Sequence, residues 1–431
     1  MPELVIFCEP AGPSDTISYR RPVGAWQYMD EDIYFKKELS FNFHRQNMRF
    51  RVSQDLFSSF QVDIGTLFLL RSLLSETDIG ACKKILDIGC GYGPIGLTLK
   101  KLVDEADVHM VDRDALAVEY TRQNAELNRL AGVRVYGSLG YDEVTGNNFD
   151  LIISNIPGKA GESVISYLLR DAAGFLDKGG LVAIVVITPL ESTVAALLES
   201  MPDVTITFRK SRSGHAVFFY TFNRESGKAG EQGASAFERG IYRQDEISVS
   251  CRGFHYSLET AWDIPEHTFP GFRSELLLEA VSNGKFPDSA SALLFNPGQG
   301  HVPVAFWQKC RPARILLNDR DLLSLRYTEK NLILNGCPAE RIHTSHRAGI
   351  GTDGKPVDVV IGTLRENEGT AAINEDMRRM GEQLAPGGTA LLAASSTAVT
   401  RVVNTVREQK LLSVKKRERR KGNSFLLLER K

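Results

Sequence analysis

The sequence predicts an α/β protein built from two tandem, Rossmann-like, doubly wound sheets. Each sheet is mostly parallel and each is preceded by a β-hairpin. Three observations carry this expectation. Short apolar strands alternate with amphipathic helical stretches, such as residues 115–130 and 323–335, which is the pattern of a sheet with helices on both faces. A glycine-rich turn, KKILDIGCGYGPIGLTL (83–99), joins an early strand to a helix. The order of features in the first part of the chain recurs in the second, at an offset of about 208 positions.

The bulk numbers agree with two domains. The 431 residues exceed the roughly 100–200 of one ordinary domain. A net charge of −1 gives no global field that would advertise nucleic acid or membrane, although a local basic patch suffices for RNA. The six cysteines are scattered with no CxxC pair, so neither a metal site nor a disulfide framework is expected. No stretch approaches the ~20 apolar residues of a membrane span, and the start lacks a basic segment leading into a long apolar one. A reducing, cytoplasmic location is expected, with no membrane partner.

The repeat has four matching parts in the same order. LSFNFHRQNMRFRVSQD (39–55) resembles ISVSCRGFHYSLETA (247–261), each alternating around a polar turn as a hairpin does. HMVDRDALAVEYTRQNAELN (109–128) resembles LLNDRDLLSLRYTEKNLILN (316–335). FDLIISNIPGKAGE (149–162) stands where VDVVIGTLRENEGT (357–370) stands, and LDKGGLVAIVV (176–186) resembles LAPGGTALLAA (384–394). Two strands around a polar, basic turn close each half, at 204–222 and 411–430. Residues 223–240, rich in Gly, Ser, Ala and Glu, read as a flexible linker. The expected domains are therefore 1–222, with 1–32 as an N-terminal extension, and 241–431.

The turn at 83–99 is the strongest local signal. Glycines let the backbone adopt positive φ and approach a ligand, and the end of a central strand is where an open α/β sheet binds a nucleotide-like cofactor. Gly91-x-Gly93-x-x-Gly96 also fits a dinucleotide fingerprint. However, Asp87 precedes the run Gly89-x-Gly91-x-Gly93, and a carboxylate there suits an ammonium-bearing methionine tail while repelling a pyrophosphate. Asp112, about 20 residues past the loop, is placed to accept from ribose hydroxyls. Ser138 and Leu139, after the third strand, are placed to border an adenine.

On these residues, together with FSSFQVDIGTLFLL (57–70), the segment from about residue 33 to 222 resembles the methyltransferase small domain. This family includes enzymes that methylate the N2 amine of guanine in ribosomal RNA. The resemblance implies a class I methyltransferase that binds S-adenosyl-L-methionine through Thr66, Asp87, Gly89, Gly91, Gly93, Asp112, Arg113, Ser138, Leu139 and Asn155. It implies ribosomal RNA as partner. It also implies that Asn155 and Pro157 are the catalytic residues. An exocyclic base amine is a poor nucleophile. An Asn side-chain oxygen and a backbone carbonyl can accept its two N–H groups and aim its lone pair at the sulfonium methyl.

In amine-methylating relatives the stretch reads Asn-Pro-Pro-aromatic. Here Ile156 replaces the first proline and Gly158 replaces the aromatic that would stack on a flipped base. Tyr92 or Phe57 could take over that stacking. Alternatives therefore stay open: methylation of a protein amide or a small-molecule amine, or a non-catalytic module that binds cofactor and RNA.

The second half is expected to be a degenerate copy. Its loop, LLFNPGQGHVPVAF (293–306), aligns Asn296 with Asp87 and Val302 with Gly93, and Thr363-Leu364-Arg365-Glu366 replaces Asn155-Ile156-Pro157-Gly158. Asp319 survives opposite Asp112. His301 is expected to be a solvated residue of the degenerate turn rather than a catalyst. In the ribosomal enzymes the degenerate copy comes first, whereas here it comes second. Two segments mix basic and aromatic residues as RNA-contacting strands do: 34–51, where alternation favours Phe inward and Arg outward, and 415–421 (KKRERRK).

Overall fold

A computed structural model describes residues 32–223, 234–351 and 354–431. The expected extension up to residue 31 and most of the expected linker (224–233) lie outside the described residues. The first half opens with the hairpin β1 (Phe35–Phe43) and β2 (Gln46–Ser53). There follow α1 (Ile64–Glu76), β3 (Lys84–Ile88), α2 (Pro94–Leu102), β4 (Asp107–Asp112), α3 (Ala115–Leu127) and β5 (Val133–Gly137). The half continues with β6 (Phe149–Asn155), α4 (Glu162–Asp171), β7 (Leu176–Ile187), α5 (Glu191–Glu199), β8 (Val204–Arg212) and β9 (His215–Phe222).

The second half repeats the plan. Its hairpin is β10 (Arg243–Cys251) and β11 (Phe254–Ala261). Then come α6 (Phe272–Asn283), β12 (Ser291–Phe295), α7 (His301–Cys310), β13 (Arg314–Asp319), α8 (Leu322–Leu334) and β14 (Ile342–His346). It ends with β15 (Val357–Thr363), α9 (Thr370–Gln383), β16 (Leu384–Ser395), α10 (Ser396–Gln409), β17 (Leu412–Arg420) and β18 (Asn423–Arg430). The two sheets have the same seven-stranded order, β5-β4-β3-β6-β7-β9-β8 and β14-β13-β12-β15-β16-β18-β17. In each, the terminal hairpin pairs antiparallel with an otherwise parallel sheet. From β3 the first sheet grows outward through β4 and β5, then returns to β6 on the other side. The crevice at that reversal lies between the carboxyl ends of β3 and β6, beside Asp87 and Asn155.

The repeated sequence EYTRQNAELN and RYTEKNLILN explains how each hairpin is attached. Asn124, fully buried on α3, accepts from the Arg51 N–H at 2.7 Å and donates to the carbonyls of Arg51 and Tyr92 at 3.0 and 2.9 Å. One turn on, Asn128 bonds the N–H and carbonyl of Arg49 at 2.9 and 2.6 Å. Asn331 and Asn335 hold β11 in the same way, through Glu259 and Ser257. A side-chain amide presents a donor and an acceptor side by side, as a backbone peptide does, so it can replace a neighbouring strand along an edge.

The halves meet through the same repeated segment. The Ala115 N–H donates to the Arg320 carbonyl at 2.8 Å and the Leu322 N–H to the Arg113 carbonyl at 3.0 Å, a reciprocal pair about a local two-fold. Arg113 reaches Asp263 and Asp321 at 2.7 and 3.4 Å. Arg320, buried, reaches Asp55 and Asp114 at 2.8 and 2.6 Å and also Glu368 at 3.1 Å. His346 Nε2 lies 2.9 Å from both the Arg113 and the Arg320 carbonyls, so Nε2 carries the proton and donates to both. Its counterpart is Gly137, the last residue of the equivalent strand, where a Cβ would sit 2.7 Å from the His346 ring.

Residues 34–431 accordingly form one compact unit. The described end of the expected linker is part of it. Ala236 is buried, and the N–H groups of Ala236 and Phe237 donate to Asp142 at 2.7 and 3.0 Å. The expectation of flexible chain therefore does not hold for residues 235–240.

Candidate active site

The glycine turn after β3 has the shape its composition suggests. Gly89, Gly91 and Gly93 have φ of 71°, 59° and 91°, and the space where Cβ atoms of Gly89 and Gly91 would stand is open. Gly96 allows a close approach, since a Cβ there would meet Met110 Sδ at 2.5 Å. Its N–H donates to Asp87 Oδ2 at 2.8 Å. Asp87 is fully buried, and its other oxygen, Oδ1, has no partner among the described residues. Burial pushes its carboxyl up to about 7, against the pull of the Gly96 N–H. An orphaned buried carboxylate oxygen behind an open glycine cradle suits a cationic ligand. The residues present therefore fit the cationic cofactor that the motif implies.

Asp112 closes the same crevice from β4. Its Oδ2 accepts from the Gly91 N–H and its Oδ1 from the Asp114 N–H, both at 2.9 Å, which fixes the carboxylate and leaves lone pairs for ribose hydroxyls. Burial, reinforced by the Asp114 charge, pushes it up to about 6. The other expected cofactor residues are placed less directly. The Arg113 guanidinium is turned into the ion pairs with Asp263 and Asp321 of the second half. Ser138 Oγ is spent on the Gly140 carbonyl at 2.8 Å, and the Leu139 N–H on Glu143 at 2.8 Å. Glu143 is thus a residue of this wall that its sequence position did not reveal, and it also pairs with Arg326 of the second half at 3.0 Å.

Asn155, at the end of β6, is oriented by two residues of the preceding segment. Its Nδ2 donates to Asp63 Oδ2 at 3.1 Å and to Thr66 Oγ1 at 3.2 Å. Asp63 also caps α1, accepting from the Thr66 N–H at 3.1 Å. A carboxylate can only accept, so the amide nitrogen must face Asp63 and the amide oxygen must face away. Thr66 therefore acts on the candidate catalytic amide, and Asp63 was not singled out from the sequence although it lies within the quoted segment.

The two departures from Asn-Pro-Pro-aromatic have physical counterparts. Ile156 is a core side chain, and its N–H donates to the Val185 carbonyl at 3.0 Å. At Gly158 a Cβ would meet Ile187 Cδ1 at 2.8 Å, so Ile187, itself partly exposed, occupies the space an aromatic would enter. Tyr92 cannot take over base stacking. It is buried beneath the site, edge-on to Phe50 at 5.7 Å. Phe57, at 74% exposure in the loop that leads into Asp63, is open to solvent, whereas the Phe60 ring carries the Lys36 ammonium 3.5 Å from its centre.

In the second half the equivalent crevice is filled from within. Arg365 pairs with Asp319, the counterpart of Asp112, and donates to Asn296 Oδ1 at 2.9 Å. The alignment of its loop needs correcting by two residues. The Asn296 N–H donates to the end of β13 at 2.9 Å as Gly89 does to the end of β4 at 2.8 Å, and Gly300, with φ of 96°, caps α7 as Gly93 caps α2. Asn296 therefore replaces Gly89, keeping a positive φ of 48° that Asn tolerates. Leu294 replaces Asp87, and Pro303, without an N–H, replaces Gly96. Acceptor and donor are lost together. His301 is not solvated. It is buried, 3.0 Å from the Tyr256 hydroxyl and 2.9 Å from the Glu266 carbonyl.

The basic segments are less available than their composition suggests. In β1 and β2, Phe41, Phe43 and Phe50 are buried while Arg49 points to solvent, as alternation requires, and Arg45 is exposed in the turn between the strands. In β17, Lys415 pairs with Glu429 at 2.8 Å, Lys416 with Glu418, and Arg420 with Glu279 at 2.9 Å. No helix among the described residues is long and apolar enough to cross a membrane, and no metal-binding cluster occurs among them.

The geometry has counterparts in known proteins. Residues 47–213 match the family model of the methyltransferase small domain. An uncharacterised protein, YbxB of Bacillus subtilis (strain 168), is 32% identical over 178 residues, covering 41% of this chain and 87% of the relative. Ribosomal RNA small subunit methyltransferase C of Haemophilus influenzae is 37% identical over 134 residues, covering 30% of this chain but only 39% of that enzyme. Among solved structures, the T. thermophilus 16S rRNA N2 G1207 methyltransferase in complex with AdoMet and guanosine superposes with a TM-score of 0.61 over 92% of this chain and 98% of its own, at 14% identity. That likeness shows that the two-domain fold is shared. The family match across the first half, together with a relative matched over nearly its whole length, shows that the chain belongs to the methyltransferase small domain family: it is an S-adenosylmethionine-dependent methyltransferase.

Proposed function

We propose that the first half methylates an exocyclic base amine, with the N2 of a guanine in ribosomal RNA as the leading candidate. The observation that carries this reading is the orientation of Asn155. Its amide nitrogen is committed to Asp63 and Thr66, so its oxygen is presented as a fixed acceptor at the mouth of the crevice. The Pro157 carbonyl is engaged by the Ala160 N–H at 3.1 Å, so in this reading the Ile156 carbonyl takes the second N–H. Two acceptors on one amine draw its lone pair out of the ring system and stabilise the positive charge that grows as it attacks. Bound cofactor supplies an electrophilic methyl on a sulfonium. A nitrogen–carbon bond forms as the sulfur–carbon bond breaks, and the amine proton passes to solvent. Relatives that act on ribosomal RNA support the substrate class.

The second half holds no cofactor in this reading, because Arg365 occupies the position opposite Asp319. The test is incubation of the full chain with radiolabelled S-adenosylmethionine and an extract of cells lacking the protein, followed by fractionation and nucleoside analysis. Label in N2-methylguanosine of ribosomal RNA is expected. Label confined to protein or small molecules would reassign the acceptor.

A further inference from the structure

We propose that the second half completes the acceptor side of the first half's site with Trp262, whose indole is a stacking surface for a base of the RNA strand being methylated. The inference rests on the reading of the first half as an RNA methyltransferase. Trp262 follows β11, in the second half. A Cβ built on Gly161 would lie 3.7 Å from both Cγ and Cδ2 of the indole and 3.9 Å from Cδ1. Near-equal distances to three adjacent ring atoms put the glycine over the face of the ring, not at its edge. Gly161, with φ of 81°, ends the turn that begins at Asn155-Ile156-Pro157 and caps α4. One half's aromatic thus lies flat on the other half's acceptor loop.

The backbone that carries the ring is held on both sides. The Trp262 main-chain N–H donates to the Tyr242 carbonyl at 3.1 Å, and the next residue, Asp263, is gripped by Arg113 at 2.7 Å. Yet the side chain is 41% exposed, while Trp307, the other described tryptophan, is buried with its Nε1 bonded to the Asn335 carbonyl. An exposed aromatic ring beside the acceptor loop is a platform on which an unpaired base can stack. The surroundings suit an unpaired nucleotide. Gly158 leaves the loop without an aromatic of its own, and Lys159, exposed in the same turn, can meet a phosphate. This gives the second half a role in turnover without a cofactor site.

The test uses the full chain, ribosomal RNA for kinetics and a short guanine-containing single-stranded oligoribonucleotide for binding. Trp262→Ala should weaken RNA binding and raise KM by roughly 5- to 150-fold, the range of one lost base stack. The kcat and the cofactor affinity should stay near wild type. Trp262→Phe should recover most of the loss, which a merely structural contact need not do. The oligonucleotide should quench wild-type tryptophan emission, and the quench should be absent in Trp262→Phe. Equal RNA affinity and equal quenching in all three proteins would overturn the proposal alone. Quenching by S-adenosylhomocysteine instead of RNA, with cofactor affinity lost in Trp262→Ala, would assign the ring to the cofactor. Failure of the wild type to bind RNA at all would overturn the underlying functional reading as well.

Discussion

Arg113 and Arg320 are the same position of the repeated sequence, and each reaches out of its own half to bind two aspartates of the other. Arg113 binds Asp263 and Asp321, and Arg320 binds Asp55 and Asp114. Their environments differ. The Arg320 side chain is only 6% exposed and adds Glu368, whereas that of Arg113 is 33% exposed. Removing Arg320 leaves the buried Glu368 carboxylate without its partner and also releases the part-exposed Asp55 and Asp114, a loss of about 3–5 kcal/mol. Arg113→Ala should cost about 1 kcal/mol, as a solvent-screened pair does. Denaturant unfolding should show one transition for the wild type and a lower midpoint for Arg320→Ala. Two wild-type transitions, one per half, would contradict the interface as a source of cooperativity.

Asn155→Ala should lower turnover by about 10²–10³-fold, the cost of one preorganised contact to developing charge. Cofactor affinity, measured by calorimetry, should change little. Asp63→Ala should fall between wild type and Asn155→Ala in kcat, because Asn155 keeps its oxygen but loses the partner that aims it. It should also lose about 1 kcal/mol of stability as the α1 cap goes. If Asp63→Ala loses stability with kcat unaltered, Asp63 is a cap and nothing more.

Cofactor binding should tighten from pH 6 to 8. In the free protein Asp87 titrates near 7 and Asp112 near 6, both raised chiefly by burial. A cationic ligand favours the ionised forms, so below pH 7 binding must expel protons, and affinity should rise roughly tenfold per pH unit while Asp87 titrates. Above about pH 8 it should be flat. The effect on folding runs the other way. Raised carboxyls bind more protons folded than unfolded, so their contribution to stability falls as pH rises from about 4 to 7. Calorimetry in buffers of different ionisation enthalpy reads the proton release directly. Asp87→Asn should flatten the upper part of the profile.

One cofactor should bind per chain. Asp112→Ala should lose roughly 1.5–3 kcal/mol of affinity, the worth of hydrogen bonds to a charged group. Asp319→Ala should lose none, because Arg365 already occupies that carboxylate. A stoichiometry of two, or equal losses in both variants, would show that the second crevice opens to ligand.

Most of the architecture was legible because it is written twice, and a spacing that recurs at Asn124/Asn128 and Asn331/Asn335 marks the hairpin attachment in both copies. The glycine turn was legible because positive φ at Gly89, Gly91 and Gly93 calls for residues without a side chain. What failed depended on partners distant in sequence. Arg113 looks like a cofactor residue until Asp263 is beside it, 150 positions on. Tyr92 sits in the glycine turn, but Phe50 and the hairpin cover it. The second loop was misaligned because Asn296 keeps a glycine's conformation without being one.

The place where His346 meets Gly137 makes the two copies lock and key. The site on the local axis holds one imidazole, which bridges two carbonyls, and the opposite strand must end in a residue with no side chain. Two first halves brought together would leave a hole and two unbridged carbonyls. Two second halves would drive one imidazole into the other. Each copy therefore rejects its own kind at this seam and accepts only its sibling, so the pairing that a symmetric ancestor could have made between separate molecules is confined here to a single chain.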